Sequence, residues 1–266
     1  MSTAHQPTKE PLIPGTSLRS DSGCSYKIEE TLIERRKPLL CVYRASPRLP
    51  SKKARIEVLR CALRGLHDMH KENIAHNDVK ADNIMIDYEE NAPGHMDIKS
   101  VQIADLEDTV LLPVGNWIKG TMCGNAIWRS PESWCRARQN ISSDIFSFGI
   151  VMIYVMADEM VFRVGKDKLE AEDSWHHVLR RHVSYFADED GLNGFLKHIG
   201  KENPFYERFV ALASSFGPGE GRQPFQTWNY IDPDLRDLVG KMTSLDPVRR
   251  ITAGEALEHR WFRQAD

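Results

Sequence analysis

The stretch IAHNDVKADNIMID, residues Ile74 to Asp87, sets one acid, Asp78, between two short apolar runs and follows it with Lys80 and Asn83. Phosphoryl transfer asks for little covalent chemistry, but it needs a carboxylate at the attacking hydroxyl, a cation for the phosphate charge and metal ligands. This stretch carries all three types: Asp78 could orient the hydroxyl and accept its proton, Lys80 could reach the phosphate, and Asn83 could bind magnesium through its amide oxygen. An Asp, a Lys and an Asn are equally ordinary turn chemistry, so the stretch alone leaves both readings open.

Its flanks narrow the choice. Upstream, Ile56, Leu59, Leu63, Leu66 and Met69 recur at three- and four-residue steps, which predicts an amphipathic helix that starts after an N-cap at Ser51 and delivers the chain into the loop. Downstream, Ile84–Ile86 and Val101–Ile103 read as a small hairpin with a long polar connection through Pro93 and Gly94. The second run ends in VQIADLED, where Asp105 stands as a strand-end carboxylate able to complete a magnesium shell. Residues 142–156 are apolar on nearly every side, which predicts a fully buried central helix. Helical periodicity returns at 192–212 and 234–242, and Thr252 with Glu255 forms a capping-box pattern for a last helix.

The bulk composition sets limits. A chain of 266 residues with 41% apolar content can bury a substantial core. A net charge of −3 with dispersed Lys and Arg argues against nucleic acid as a partner. Five cysteines without a C-x-x-C pair argue against a disulfide framework or a zinc site. The most apolar stretch, Ile145 to Ala157, is shorter than the ~20 residues that cross a bilayer, and the N-terminus lacks a signal-peptide core. A soluble protein of the cytoplasm or nucleus, without membrane contact, is the expectation.

HNDVKADN, ADLED and GNAIWRSPE follow one another in the order and approximate spacing of the eukaryotic protein kinases, whose patterns are H-R-D-x-K-x-x-N, D-F-G and A-P-E. SDIFSFG and DPVRRITAGEALEHRWF continue the resemblance to the family's central helix and closing motif. The resemblance implies an α+β fold of the protein-kinase type, mainly the helical C-terminal lobe (54–266), with a remnant of the β-rich N-terminal lobe (25–53) after a disordered tail (1–24). It further implies Asp78 as catalytic base, Lys80 as the phosphate-contacting lysine, and Asn83 and Asp105 as magnesium ligands, with ATP and Mg2+ as cofactors and a protein Ser or Thr as substrate. His76 would be structural, Glu132 would pair with Arg250 in the interior, and Asp144 would hydrogen-bond the catalytic-loop backbone.

The chain departs from that pattern at specific places. Asn77 replaces the arginine that binds a phosphorylated activation loop. Leu106 and Glu107 replace the Phe and Gly of D-F-G, so the hydrophobic plug would be aliphatic; Asn125 stands for a threonine and Ser130 for the Ala of A-P-E, both still able to donate hydrogen bonds. Arg35, Lys37 and Leu40 occupy the glycine positions of the nucleotide loop, while Val42, Tyr43 and Ala45 match. Between Ala45 and Ala54 there is no room for the family's lysine strand, regulatory helix and hinge, and Lys52 and Lys53 read as solvated charges. Three readings therefore stand: a protein Ser/Thr kinase of weak, magnesium-dependent nucleotide affinity; a non-catalytic kinase-like binding module or truncated gene product; and a small-molecule kinase, against which Lys80, the SPE triplet and Arg250 argue.

Overall fold

A computed structural model describes residues 11–19, 25–36, 39–47, 51–92, 95–217 and 219–265. The chain divides into two units, residues 1–51 with 90–96 and residues 52–89 with 97–266. The first unit holds a three-stranded antiparallel sheet in the order β1 (Ser17–Arg19), β2 (Ser25–Arg36), β3 (Leu39–Pro47). The β2–β3 hairpin pairs from Tyr26↔Pro47 to Arg36↔Leu39, so two residues separate the paired strands. β1 pairs Ser17 with Lys27 and Arg19 with Ser25, which corrects the reading of residues 1–24 as a disordered tail at these three positions; residues 1–10 and 20–24 lie outside the described set.

The second unit is mostly helical. It opens with α1 (Lys52–Lys71), where Ile56, Leu59, Leu63 and Leu66 are buried on one face. Burying side chains of this size contributes about 1.5–3 kcal/mol each. β4 (Ile74–Ala75) pairs antiparallel with β7 (Val110–Leu111), and β5 (Ile84–Ala92) pairs with β6 (His95–Ile103). The expected small hairpin is thus longer than its apolar runs, because the polar residues between them continue both strands. The short α2 (Pro131–Trp134) then leads to α3 (Ile141–Ala157), in which every residue from Ser143 to Ile153 is buried. Asn140 caps its N-terminus by accepting from Ser142 N–H at 3.0 Å. At the other end, the Arg55 guanidinium donates to the carbonyls of Val155 and Met156 at 3.0 and 3.3 Å, tying α1 to α3.

Around α3 lie α4 (Lys166–Leu169), α5 (Ser174–Phe186), α6 (Glu189–Ile199), α7 (Phe205–Ser214), α8 (Pro233–Met242) and α9 (Ala253–Leu257). The periodic stretch 192–212 is two helices, broken between Gly200 and Pro204. Gly149 lets α3 meet the end of α8: a Cβ there would stand 2.8 Å from Thr243 Cγ2. Thr252 and Glu255 form the reciprocal capping box at α9.

Candidate active site

The catalytic-loop stretch hangs between β4 and β5, and a buried carboxylate fixes its backbone from below. Asp144, in the first turn of α3, accepts from His76 N–H at 2.8 Å, from Asn77 N–H at 2.9 Å and from His70 Nε2 at 3.0 Å. Asn77 has φ of +67°, a left-handed conformation that Asn tolerates better than most side chains. Its amide donates to Asp108 O at 2.7 Å, so where the family carries a phosphate-binding arginine this side chain ties the loop to the segment after Asp105. His76 is fully buried; Nε2 donates to Ala104 O at 3.0 Å, and Nδ1 accepts from Asp78 N–H at 3.2 Å.

These contacts aim Asp78. Its carboxylate, 9% exposed by residue, accepts from Asn125 N–H at 3.0 Å on Oδ1, and from Lys80 Nζ at 2.6 Å and Asn83 Nδ2 at 3.2 Å on Oδ2. Lys80 is held protonated above its ordinary range, chiefly by that hydrogen bond, with burial opposing and the charges of Asp78, Asp105 and Asp82 assisting. Asn83 closes a 3-10 turn (Ala81–Asn83) and also donates to Asp78 O at 2.9 Å, which turns its amide oxygen away from Asp78. Ala104 N–H donates to Asn83 O at 2.9 Å, so β6 delivers Asp105 beside Asn83. Asp105 is solvent-exposed with φ of +63°.

An amide oxygen and an exposed carboxylate are hard oxygen donors of the kind Mg2+ accepts, and Mg2+ commonly takes only one or two protein ligands beside phosphates and water. Among the described residues no cluster of three His, Cys, Asp or Glu could hold a metal by itself. The site therefore fits a magnesium ion that arrives with a phosphate ligand.

The far wall comes from the segment before α2. Gly124, with φ of +76°, passes so close to the loop that a Cβ would stand 2.7 Å from Asn77 O. This approach lets the next residue, Asn125, reach Asp78 with its backbone; its side chain instead accepts from Ile127 N–H at 3.2 Å. Arg129 donates to Gly124 O and lies 5.1 Å over the Trp134 ring. Ser130 Oγ caps α2, accepting from Ser133 N–H at 3.4 Å. Neither Gly124 nor Arg129 was singled out by residue type; the glycine before the expected threonine position was the available signal.

Glu132 and Arg250 meet as a bidentate pair at 2.6 and 2.7 Å, with both side chains 0% exposed. Leu106 differs from the expected plug: it is 57% exposed. A plug needs a surface to close over it, and the four residues between Pro47 at the end of β3 and Lys52 at the start of α1 are too few for the family's regulatory helix. Lys52 lies 3.4 Å from Asp232, in an exposed pair. Arg35 pairs with Leu40 across the β2–β3 turn, whereas Lys37 lies outside the described residues.

A family model described as protein kinase domain matches residues 33–262. The chain belongs to the protein kinase family. It is 24% identical over 193 residues to human ribosomal protein S6 kinase alpha-2, covering 73% of this chain and 20% of that protein. It is 25% identical over 209 residues to the serine/threonine-protein kinase fray2 of Dictyostelium discoideum, covering 78% and 16%. To Arabidopsis thaliana calcium-dependent protein kinase 17 it is 24% identical over 216 residues, covering 80% and 31%. This kinase domain thus spans under a third of the length of these relatives. The crystal structure of the yeast RNA Pol II CTD kinase CTDK-1 complex contains a chain of the same fold, with a TM-score of 0.63 at 14% identity over 96% of this chain and 78% of that one. Mixed strands and helices with a helical majority are the kinase-like α+β architecture. The family generally uses ATP and Mg2+ and acts on proteins. Among the described residues, no helix is long and apolar enough to cross a membrane.

Proposed function

We propose that this chain transfers the γ-phosphoryl group of ATP to a Ser or Thr hydroxyl of a protein. The observation that carries the reading is the Asp78 carboxylate, nearly buried and aimed by Asn125 N–H, Asn83 Nδ2 and Lys80 Nζ. Asp78 orients the substrate hydroxyl and takes its proton as the oxygen attacks. Lys80, already protonated 2.6 Å away, neutralises charge on the transferred group. Asn83 and Asp105 are the residues that would hold magnesium, which when bound bridges the phosphates and offsets their charge. His76 and Asp144 hold the loop, Glu132 and Arg250 tie α2 to α3 and to the segment after α8, and none of the four touches the reacting atoms.

The described cysteines are free, which supports a reducing compartment, cytoplasm or nucleus. Transfer should be slow, because the four residues between β3 and α1 are too few for the family's lysine strand and regulatory helix, which align the nucleotide and exclude water. That same observation favours a second reading, a kinase-like module that binds without transferring. Incubation of the purified chain with radiolabelled ATP, magnesium and a mixed Ser/Thr protein substrate separates the two. The first reading expects phosphoserine or phosphothreonine that disappears in Asp78→Asn. Label equal in wild type and Asp78→Asn would refute it, and no label despite bound nucleotide would leave the second.

A further inference from the structure

On the other side of α1 from its buried face, Arg60, Arg64 and His67 recur at i, i+4 and i+7 and so share one stripe. They form one wall of an open cleft of about 620 Å³. The opposite wall comes from α9 and the chain that follows it, including Glu258, Phe262 and Arg263. Like charges at i and i+4 destabilise a helix; the cleft also holds two acids, Asp68 and Glu258, against its three arginines.

The partners of these charges show which are free. Arg60 lies 3.6 Å from Glu57 and donates to Phe262 O, which ties α1 to the chain end. Asp68, which also lines the cleft, is drawn to Lys71 at 3.6 Å. Arg263 donates to the backbone oxygen of Glu258 at 3.2 Å, so its charge stays unneutralised by that bond. Arg64 is exposed and makes no hydrogen bond or ion pair among the described residues. Two guanidinium groups with unused donors thus face one concave space, the arrangement that recognises a phosphomonoester by charge-assisted, forked hydrogen bonds.

We propose that this cleft binds a phosphorylated Ser or Thr segment of a protein, with Arg64 and Arg263 as the phosphate clamp and Arg60 as its fixed floor. The volume falls in the range of small-ligand pockets and suits one phosphorylated residue and its neighbours. Nucleic acid is disfavoured because Phe262, the phenyl ring in the lining, is 1% exposed and offers no face for a base. A lipid surface is disfavoured because none of the exposed large apolar side chains lines the cleft. The inference does not rest on transfer by Asp78.

The test is fluorescence anisotropy of the full chain with a degenerate peptide pool centred on phosphoserine, beside the same pool unphosphorylated. Binding should require the phosphate. Arg64→Ala and Arg263→Ala should each weaken it by about tenfold or more, the range of a hydrogen bond to a charged group, while thermal unfolding stays unchanged. Arg64→Lys should recover part of the loss. Equal binding of both pools would overturn the proposal. Phosphate-dependent binding that ignores Arg64→Ala and Arg263→Ala but vanishes in Lys80→Ala would place the peptide at the candidate active site and also overturn it. Tighter association with anionic vesicles or an oligonucleotide, lost in the same two arginine variants, would assign the cleft to another ligand.

Discussion

Arg250→Met tests how the second unit is held together. Arg250 Nη1 and Nη2 donate to the two oxygens of Glu132 at 2.6 and 2.7 Å, and further donors reach the carbonyls of Ser244, Ser142 and Leu245 at 2.8, 3.0 and 3.1 Å. Removing the guanidinium leaves Glu132 buried with only Ser143 Oγ, at 2.6 Å, as a side-chain donor. Breaking one partner of a buried pair costs about 3–5 kcal/mol. A domain of this size has roughly 5–15 kcal/mol in total, and at about 2–4 °C per kcal/mol the melting temperature should fall by roughly 6–20 °C. All six tryptophans, from Trp117 to Trp261, belong to the second unit, so urea unfolding followed by their fluorescence reports that unit alone. Glu132→Leu with Arg250→Met should recover part of the loss, because no charge is stranded, but not all of it, because three carbonyls lose their donor. Burial pushes the Glu132 carboxyl up, yet the Arg250 guanidinium and Ser143 hydroxyl outweigh burial and hold it below its ordinary 4.5. Its contribution is complete above that value and is lost as pH falls through the lowered native one. In the variant burial is no longer opposed by the guanidinium and pushes the Glu132 carboxyl above its ordinary 4.5, so the variant regains stability by taking up a proton and its deficit should shrink as pH falls from neutrality towards that value. A deficit under about 1 kcal/mol at neutral pH, or a double variant as unstable as the two singles summed, would refute the reasoning.

Asp144→Ala should cost about 3 kcal/mol or more by stranding the buried N–H groups of His76 and Asn77, and hydrogen exchange at those amides should accelerate; unchanged protection would contradict the role. Gly124→Ala, forced to φ of +76° with its Cβ 2.7 Å from Asn77 O, should destabilise by about 1–3 kcal/mol and abolish any transfer. Thr252→Ala removes one half of the α9 capping box and should cost about 0.5–2 kcal/mol in the same urea assay.

The parts of the fold legible in the sequence were those with a periodic or capping signature. α1 showed through the spacing of Ile56, Leu59, Leu63 and Leu66, α3 through its uniform apolarity, and α9 through Thr252 and Glu255. α5 escaped, since its thirteen residues include three His and two Arg that obscure the apolar stripe. One of them, His182, is fully buried with its ring 3.9 Å from that of Phe162, and burial holds it well below the ordinary histidine range. At the site, the ordered motifs named the side chains that converge on Asp78, but a main-chain contact such as Asn125 N–H leaves no residue-type signal. Leu106 was misread because a motif position implies burial only when something packs over it.

The most direct test of the account is a thermal-unfolding titration of the purified chain with ATP, with and without magnesium. If Asn83 and Asp105 hold the nucleotide through the metal, ATP at about 100 times its dissociation constant should stabilise by about 2.7 kcal/mol, a rise of roughly 5–10 °C. Chelation or Asp105→Asn should remove the rise, and Asp78→Asn should keep it, because that carboxylate acts on the hydroxyl. No rise at any ATP concentration, or a rise that survives both chelation and Asp105→Asn, would contradict it.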